Sequence, residues 1–302
     1  MPIPSLPISA TQNLPPMASA FRAMHPPIIM IGMHRSGTSL VAGMLTILGV
    51  YMDPAMMPPA EGEKLSVPSE QLRQDGYAEA EAFRLLNEAL MTRAGSVWDD
   101  VDAFLAKREQ PDFARACLQE IAQATSESLE SNYRQLMPDT LSQAWGWKDP
   151  RTSLTLPYWL PFFPEARIIN MRRNPEKVVD SLVKRSQAIQ NLPVAPPPAG
   201  SQLQRALRHP DVALRYVGRR LGLVKPPTPA AERDRAYWHR LCEQHVQECL
   251  RYRDLGERYL EITFEEVVQD PAALTDTLTQ FVGISPSEFR KQQAVAFVQR
   301  DK

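Results

Sequence analysis

The chain has 302 residues, enough for one large domain or two small ones, and its 43% apolar and 23% charged content is typical of a soluble globular protein. Its net charge of −1 excludes a global field that would draw it to nucleic acid or a membrane, so any anion site must be local. No run approaches the roughly 18 apolar residues of a membrane-spanning helix, and Cys117, Cys242 and Cys249 lack metal-ligand spacing, which favours buried thiols in a reducing, cytoplasmic compartment.

Residues 1–26 are rich in proline, serine and alanine. They lack the charged start and apolar core of a signal peptide. We therefore expect a disordered lead-in over 1–26, followed by a single domain over 27–302.

The next stretch predicts a strand, a glycine-bounded loop and a helix. Ile28 to Ile31 is a short apolar run, typical of a strand that is buried on both faces of a parallel sheet. Gly32 and Gly37 stand five apart, and the apolar residues after them repeat at helical spacing. Loop N–H groups and a helix N-terminus that converge on one spot favour an anion, most naturally a phosphate.

The residues inside this loop indicate which phosphate compound it suits. A nucleotide-triphosphatase loop carries a lysine directly after its second glycine, whereas Thr38 stands there and the cation is Arg35, inside the loop. Such a loop is poorly equipped for ATP with magnesium. Taken alone, it could also be an ordinary strand-to-helix turn.

A strong helix former follows from Tyr77 to Arg93, with Phe83 and Leu90 on its core face. Glu79 lies in its first turn, where the helix dipole alone would favour an acid. Residues 99–137 predict two more amphipathic helices, broken at Pro111, which cover the sheet.

Two further strands are expected, one ending at Lys148 and one running from Ala166 to Arg172. Pro175 begins the next helix, which carries Ser181, eight residues after Arg173. A guanidinium at the carboxyl end of a strand and a hydroxyl on the following helix can together grip one phosphate. Alternatively, Arg173 pairs with a surface acid and Ser181 is incidental.

The Arg-Asn-Pro run with a serine eight positions after the arginine, preceded by the lysine-less loop, resembles the P-loop sulfotransferases. These enzymes use 3′-phosphoadenosine 5′-phosphosulfate (PAPS) as co-substrate. The resemblance implies one α/β domain with a central parallel sheet, helices on both faces, the donor at the strands' carboxyl ends, and no metal. The residues that it assigns to the donor are Arg35, Ser36, Gly37, Thr38 and Ser39 in the loop, and Arg173 and Ser181 at the 3′-phosphate.

The run Trp147-Lys148-Asp149-Pro150, preceded by Gly76-Tyr77-Ala78-Glu79, is similar to tyrosylprotein and bacterial carbohydrate-type sulfotransferases. By this resemblance Glu79 is the candidate general base, with Glu61 and Glu63 as rivals. Lys148 and Arg35 are then the catalytic cations, although Lys148 could simply pair with a carboxylate. The histidine base of cytosolic steroid and phenol sulfotransferases has no match, because Pro150 stands in its place. The implied acceptor is a hydroxyl or amine of a carbohydrate or small metabolite.

Residues 187–232 look inserted, because proline runs bracket a basic helix that is either a solvated face or a lid for the acceptor. A long helix from Ala236, a strand, and a closing helix over Ala272 to Val282 follow. The segment between them resembles the family's Tyr-Glu-Asp-Leu-x-x-Asp-Pro, with Phe264 and Glu266 at the Tyr and Asp positions. The Arg-Lys-Gly nucleotide loop of cytosolic sulfotransferases is absent from the sequence.

Three function classes stay open at this stage. A sulfotransferase requires both phosphate motifs together with Glu79 and Lys148. A P-loop phosphoryl transferase is disfavoured by Thr38 in the lysine position. A non-catalytic nucleotide-binding module would keep the phosphate residues but would need neither Glu79 nor Lys148.

Overall fold

The computed structural model describes residues 6–7, 25–52, 80–125, 143–190 and 233–300. Within these ranges the strands are β1 (Ile28–Gly32), β2 (Gly146–Lys148), β3 (Arg167–Arg172) and β4 (Tyr259–Thr263). The helices there are α1 (Thr38–Ile47), α2 (Glu81–Arg93), α3 (Asp102–Lys107), α4 (Pro111–Ala124), α5 (Thr152–Trp159), α6 (Pro175–Gln190), α7 (Arg235–Leu250), α8 (Phe264–Gln269), α9 (Pro271–Val282) and α10 (Glu288–Arg300), with a 3-10 segment at Arg253–Arg258.

The four strands form one parallel sheet in the order β2-β1-β3-β4. Ile29 of β1 lies opposite Trp147 on one side and Ile168 on the other. Glycine at position 146 lets β2 approach β1 closely. Any larger residue would clash, since a Cβ there would lie 1.9 Å from the Ile28 carbonyl oxygen. Parallel strands need crossover connections, and here helices supply them.

Alternate residues of β1 enter two separate hydrophobic cores, one on each face of the sheet. Ile29 and Ile31 pack into the first core, which is contributed mainly by α2, α4, α5, α6 and α7. Ile28 and Met30 pack into the second, which is contributed by α1, α8, α9 and α10. The prediction of one α/β domain with a central parallel sheet and helices on both faces is therefore confirmed.

The first core is built on aromatic rings. Phe83 of α2 stacks on Trp147 of β2 with ring centroids 4.1 Å apart and planes 4° from parallel. Trp159 packs at an angle against both rings, at 5.3 and 5.1 Å. Because each such ring removes a large apolar area from water, this face fixes α2 and α5 against the sheet.

Several boundaries differ from those expected. Pro111 opens α4 at its first turn, as the expected break indicates. Helix α6 continues to Gln190, four residues into the segment that looked inserted. Helix α10 was not expected; apart from Phe289, its apolar residues form one run, 294–298, and it buries Phe297 against Gly43 of α1.

Most of the expected lead-in 1–26 and of the insertion 187–232 lies outside the described residues. Leu6, at the start, packs against the first core. Cys117, Cys242 and Cys249 are free and buried, as predicted. Across the described ranges, no helix combines the length and apolar character needed to cross a membrane.

Candidate active site

The loop after β1 depends on two glycines. Gly32 has φ 138°, and a Cβ there would lie 2.4 Å from the carbonyl oxygen of Met171. Gly37 has φ 98°, and a Cβ there would lie 2.5 Å from the ring of Phe264. Both positions therefore require glycine for conformation and for space, which allows β3 and α8 to press directly against the loop.

The loop ends at the N-terminus of α1, which is not capped by a side chain. Gly37 is the N-cap residue of α1 in a left-handed conformation, and Thr38 begins the helix. Arg35 also has a positive φ, 69°, which is uncommon for a residue with a Cβ and stores strain in the loop. An uncapped N-terminus with an adjacent cation is suited to an anion such as a phosphate.

The second motif predicted to bind a phosphate, Arg173 with Ser181, contacts this loop. The Arg35 Nε donates to Ser181 Oγ at 2.9 Å, across 146 residues of sequence. The Arg173 Nη1 donates to the Arg35 carbonyl oxygen at 3.1 Å, across 138 residues. The structure therefore brings Arg35, Arg173 and Ser181 into direct contact.

Arg173 leaves β3 with its guanidinium 4.2 Å from the ring centroid of Phe264, a cation–π contact. Burial lowers the pKa of Arg173; nearby Glu265 opposes the shift, and Arg35 adds to it. Two neighbouring cations facing one site are stabilised by an anion between them. Phe264, at the family's tyrosine position, thus serves as the platform for Arg173.

Local sequence explains why Ser181 points back to the loop. Asn174 Oδ1 accepts from the backbone N–H of Glu176 at 2.9 Å, and Pro175 is the first residue of α6. A polar cap followed by proline starts a helix sharply. Two turns later, Ser181 faces the phosphate loop rather than solvent.

Lys148 lies on the other side of the loop, at the end of β2. It pairs in register with Met30 of β1, and it is only 2% exposed. Its charge is one of those that lower the pKa of His34, a loop residue. Lys148 is therefore a buried side chain that lies close enough to the loop to act on His34 electrostatically.

A network centred on Asn87 of α2 holds the turn after Lys148. The Asn87 Nδ2 donates to Asp149 Oδ2 at 2.8 Å and to Thr152 Oγ1 at 2.9 Å, and its Oδ1 accepts from Thr155 Oγ1 at 2.7 Å and Trp159 Nε1 at 2.8 Å. Asp149 also accepts from the Arg151 N–H and guanidinium, at 3.0 and 2.9 Å. Asp149 is thus a buried anchor as well as the cap of the turn.

His34 forms the wall of the loop on the Lys148 side. Its ring centroid is 4.5 Å from that of Trp98, and Arg185 lies 4.8 Å above the Trp98 ring. Burial lowers the pKa of His34 well below the usual histidine range, and Arg151, Arg185 and Lys148 lower it further. His34 is therefore neutral at pH 7, and the charges on this side belong to lysine and arginine.

The candidate bases Glu79, Glu61 and Glu63 lie outside the described residues. The residue after Glu79, Ala80, is the N-cap of α2 and is buried in the first core. Asn87 ties this same helix to the turn that follows Lys148. The segment carrying Glu79 thus leads directly into a helix that is fixed to the Lys148 side.

Asn87, His34 and Trp98 also contribute to the site, although none of them was predicted from the sequence. Asn87 occupies a core position of α2, between Phe83 and Leu90 in the helical repeat, and a polar residue there could have indicated a buried network. His34 adjoins Arg35 in the loop and could have been included with it. Trp98 carries no local signal, because its role depends on contacts with distant residues.

Comparisons with known proteins find related sequences and structures. A model of the sulfotransferase family matches residues 26–209, which include the loop, Lys148, Arg173 and Ser181. Sulfotransferase STF9 from Mycobacterium avium is similar in structure, with 18% identity, a TM-score of 0.48, and 92% of this chain and 68% of that chain covered. Sulfotransferase STF1 from Mycobacterium tuberculosis shows 12% identity, a TM-score of 0.47, and coverage of 92% and 72%. A sulfotransferase from Alicyclobacillus acidocaldarius shows 16% identity, a TM-score of 0.45, and 92% of both chains covered. No curated protein matches the sequence.

Proposed function

The chain belongs to the sulfotransferase family, and from this premise we propose that it transfers a sulfuryl group from PAPS to a hydroxyl or amine acceptor, a carbohydrate or small metabolite. The observation that carries the proposal is the contact between the two phosphate motifs. Arg35, Arg173 and Ser181, far apart in sequence, are joined by hydrogen bonds of 2.9 and 3.1 Å.

The residues in this contact suit the two phosphates of PAPS. The loop and the N-terminus of α1 favour the 5′-phosphosulfate. Arg173 and Ser181 offer a guanidinium and a hydroxyl that could together bind the 3′-phosphate of the same nucleotide. ATP has no 3′-phosphate, and Thr38 replaces the lysine that would reach its terminal phosphates.

In the proposed reaction, the acceptor oxygen forms a bond to sulfur as the bond from sulfur to the bridging phosphate oxygen breaks. PAPS supplies the SO₃ unit, and 3′-phosphoadenosine 5′-phosphate is the product. Glu79 accepts the proton of the acceptor hydroxyl. Arg35 and Lys148 stabilise the negative charge that grows on the departing phosphate.

The proposed cytoplasmic location is supported by the three free and buried thiols. Burial raises the pKa of each thiol to about 12, which keeps all three protonated and unreactive. Reduced cysteines of this kind suit a reducing compartment.

The decisive experiment compares binding of 3′-phosphoadenosine 5′-phosphate with binding of ADP and of ATP with magnesium. The bisphosphate should bind without magnesium and much more tightly than ADP. Because a charged hydrogen bond contributes roughly 1.5–3 kcal/mol, Arg173→Ala should weaken its binding about tenfold or more.

Arg172→Ala is the matched control. Arg172 is the preceding residue, and its side chain pairs with Glu261 at 2.7 Å. Its substitution therefore removes the same charge as Arg173→Ala but does not disturb Ser181 or the loop. Arg172→Ala should leave bisphosphate affinity within about twofold, because its lost ion pair with Glu261 lies outside the contact among Arg35, Arg173 and Ser181. Equal affinity for ADP and the bisphosphate, or equal losses in the two variants, would contradict the assignment of the donor.

A further inference from the structure

Ser153, the second residue of α5, is hydrogen-bonded to the first glycine of the phosphate loop. Its Oγ accepts from the Gly32 N–H at 3.0 Å and donates to the Gly32 carbonyl oxygen at 3.3 Å, across 121 residues of sequence. Ser153 is fully buried. A single hydroxyl thus serves both backbone polar groups of one residue, at the point where β1 becomes the loop.

The direction of the β1 backbone shows why Gly32 needs such a partner. The Ile28 N–H donates to the Trp145 carbonyl oxygen at 2.8 Å, on the β2 side of β1. Because the strand repeat is two residues, Met30 and Gly32 direct their backbone polar groups to the same side. However, β2 ends at Lys148, opposite Met30, so Gly32 lies beyond the last pair of that ladder.

The turn after β2 does not serve Gly32, because it uses its own polar groups. In the same register, the Asp149 carbonyl oxygen and the Arg151 N–H would be the next partners of Gly32. The Asp149 carbonyl oxygen instead accepts from the Thr152 N–H at 2.9 Å, and the Arg151 N–H donates to Asp149 Oδ1 at 3.0 Å. Ser153 therefore replaces the strand that is missing here, and it keeps two buried backbone groups paired.

The hydroxyl of Ser153 is itself held in place by a third contact. It makes a hydrogen bond with the Cys249 thiol of α7; burial raises the pKa of this thiol to about 12, and the hydrogen bond opposes the rise. The thiol is protonated at pH 7 and so can donate to Ser153 Oγ. With its proton given to the Gly32 carbonyl oxygen and its two lone pairs used by Gly32 and Cys249, the hydroxyl has no freedom to rotate away.

Gly32 passes its position on to the rest of the loop. It is followed by Met33, whose carbonyl oxygen accepts from the Ser36 N–H at 3.2 Å, and a Cβ on Gly32 would lie 3.2 Å from Ser36 Oγ. At the other end of the contact, Asn87 holds the residue before Ser153 through Thr152 Oγ1. Ser153 thus couples the anchored turn after Lys148 to the phosphate loop.

We propose that Ser153 is a positioning residue, which holds the phosphate loop in the conformation that binds a nucleotide 5′-phosphate. Without the hydroxyl, Gly32 loses both partners and the loop occupies other conformations, of which only the competent fraction binds. The inference rests on the proposed function only in that the loop receives a 5′-phosphate. It depends neither on the 3′-phosphate nor on the acceptor.

Ser153→Ala removes the hydroxyl with little change of volume. The affinities of the full chain for 3′-phosphoadenosine 5′-phosphate and for ADP should both fall about tenfold, because both nucleotides place a 5′-phosphate on the loop. Arg173→Ala should weaken the bisphosphate alone. A wild-type chain that does not prefer the bisphosphate would contradict the proposed donor, whereas equal losses for the two nucleotides in Ser153→Ala would still support the role of Ser153.

Amide hydrogen exchange tests the same role without a nucleotide. In Ser153→Ala, the Gly32 amide should exchange about tenfold faster than in wild type, after correction for any change in global stability measured by urea denaturation.

Thr275→Val is the matched control, because it removes another buried hydroxyl, which donates to the Pro271 carbonyl oxygen at 2.8 Å in α9. It should change neither the exchange of the loop nor the affinity for either nucleotide. Loop exchange that Ser153→Ala leaves unchanged, or nucleotide affinities that fall no further in Ser153→Ala than in Thr275→Val, would overturn the proposal.

Discussion

The two sides of the phosphate loop hold their cations in different ways. On the β3 side, Arg35 and Arg173 are partly exposed, and each makes a hydrogen bond to the other phosphate motif. On the β2 side, Lys148 is 2% exposed, and the turn after it is anchored by the buried Asn87 network. The first arrangement leaves its cations able to reorganise around an anion, whereas the second fixes a charge in place.

This difference predicts which property each side controls. A group that interacts equally with the ligand in the ground state and in the transition state contributes to binding and not to turnover. A cation held rigidly by its surroundings can stabilise charge that appears only in the transition state. Substitution of Arg173 should therefore change mainly donor affinity, and substitutions on the β2 side should change turnover or stability with donor affinity intact.

The largest expected effect concerns the proposed base. Glu79→Gln keeps the shape of the side chain but removes the proton acceptor, so turnover should fall by about 10²–10⁴. Affinity for the bisphosphate, measured in parallel, should be nearly unchanged. Glu61→Gln and Glu63→Gln are the controls, and a comparable loss of turnover in either one, with normal turnover in Glu79→Gln, would move the base to that residue.

Substitution of Arg35 tests whether a residue on the β3 side can also stabilise the transition state. If Arg35 stabilises the departing phosphate, Arg35→Ala should lower turnover by roughly 10²–10³, more than it lowers bisphosphate affinity. Arg35→Lys should recover part of the turnover, because the charge is kept while the bond from Nε to Ser181 is lost. Normal turnover with only a raised donor KM would show that Arg35 serves binding alone.

The residues on the β3 side of the loop could be predicted from the sequence, whereas the network on the β2 side could not. The loop glycines, Arg35, Arg173 and Ser181 lie in short motifs whose spacing predicts both their secondary structure and their chemistry. Asn87 and Asp149 are 62 residues apart, and only the packing of α2 on the sheet brings them together. The fold could be predicted from its apolar strands and amphipathic helices. Helix α10 could not, because its burial depends on the space that Gly43 of α1 leaves for Phe297.

Asn87 is the sharpest probe of the buried side. Asn87→Leu removes the hydrogen bonds that Asn87 makes to Asp149 Oδ2 and Trp159 Nε1, both buried, so the free energy of unfolding should fall by about 3 kcal/mol, measured by urea denaturation. Turnover should fall as well, because the turn after Lys148 loosens, while bisphosphate affinity in the folded protein stays normal. Glu88→Leu, on the exposed side of the same helix, should change stability by less than about 0.5 kcal/mol. Unfolding curves that coincide for wild type and Asn87→Leu would rule out the network as the anchor.

The smallest expected effect is a pH dependence of stability that comes from a buried histidine of α7. Burial lowers the pKa of His245, which is 1% exposed, from 6.5 to about 4. Because the folded state resists protonation that the unfolded state accepts, the stabilising contribution is complete above pH 6.5 and is lost as the pH falls toward 4. At pH 5.5 the loss should be about 1 kcal/mol relative to pH 7.5, in the same direction as that from His34. His245→Gln should flatten this part of the stability profile, whereas His239→Gln, at a partly exposed position on α7, should preserve it. A profile that His245→Gln leaves unchanged would show that other groups carry the acid sensitivity.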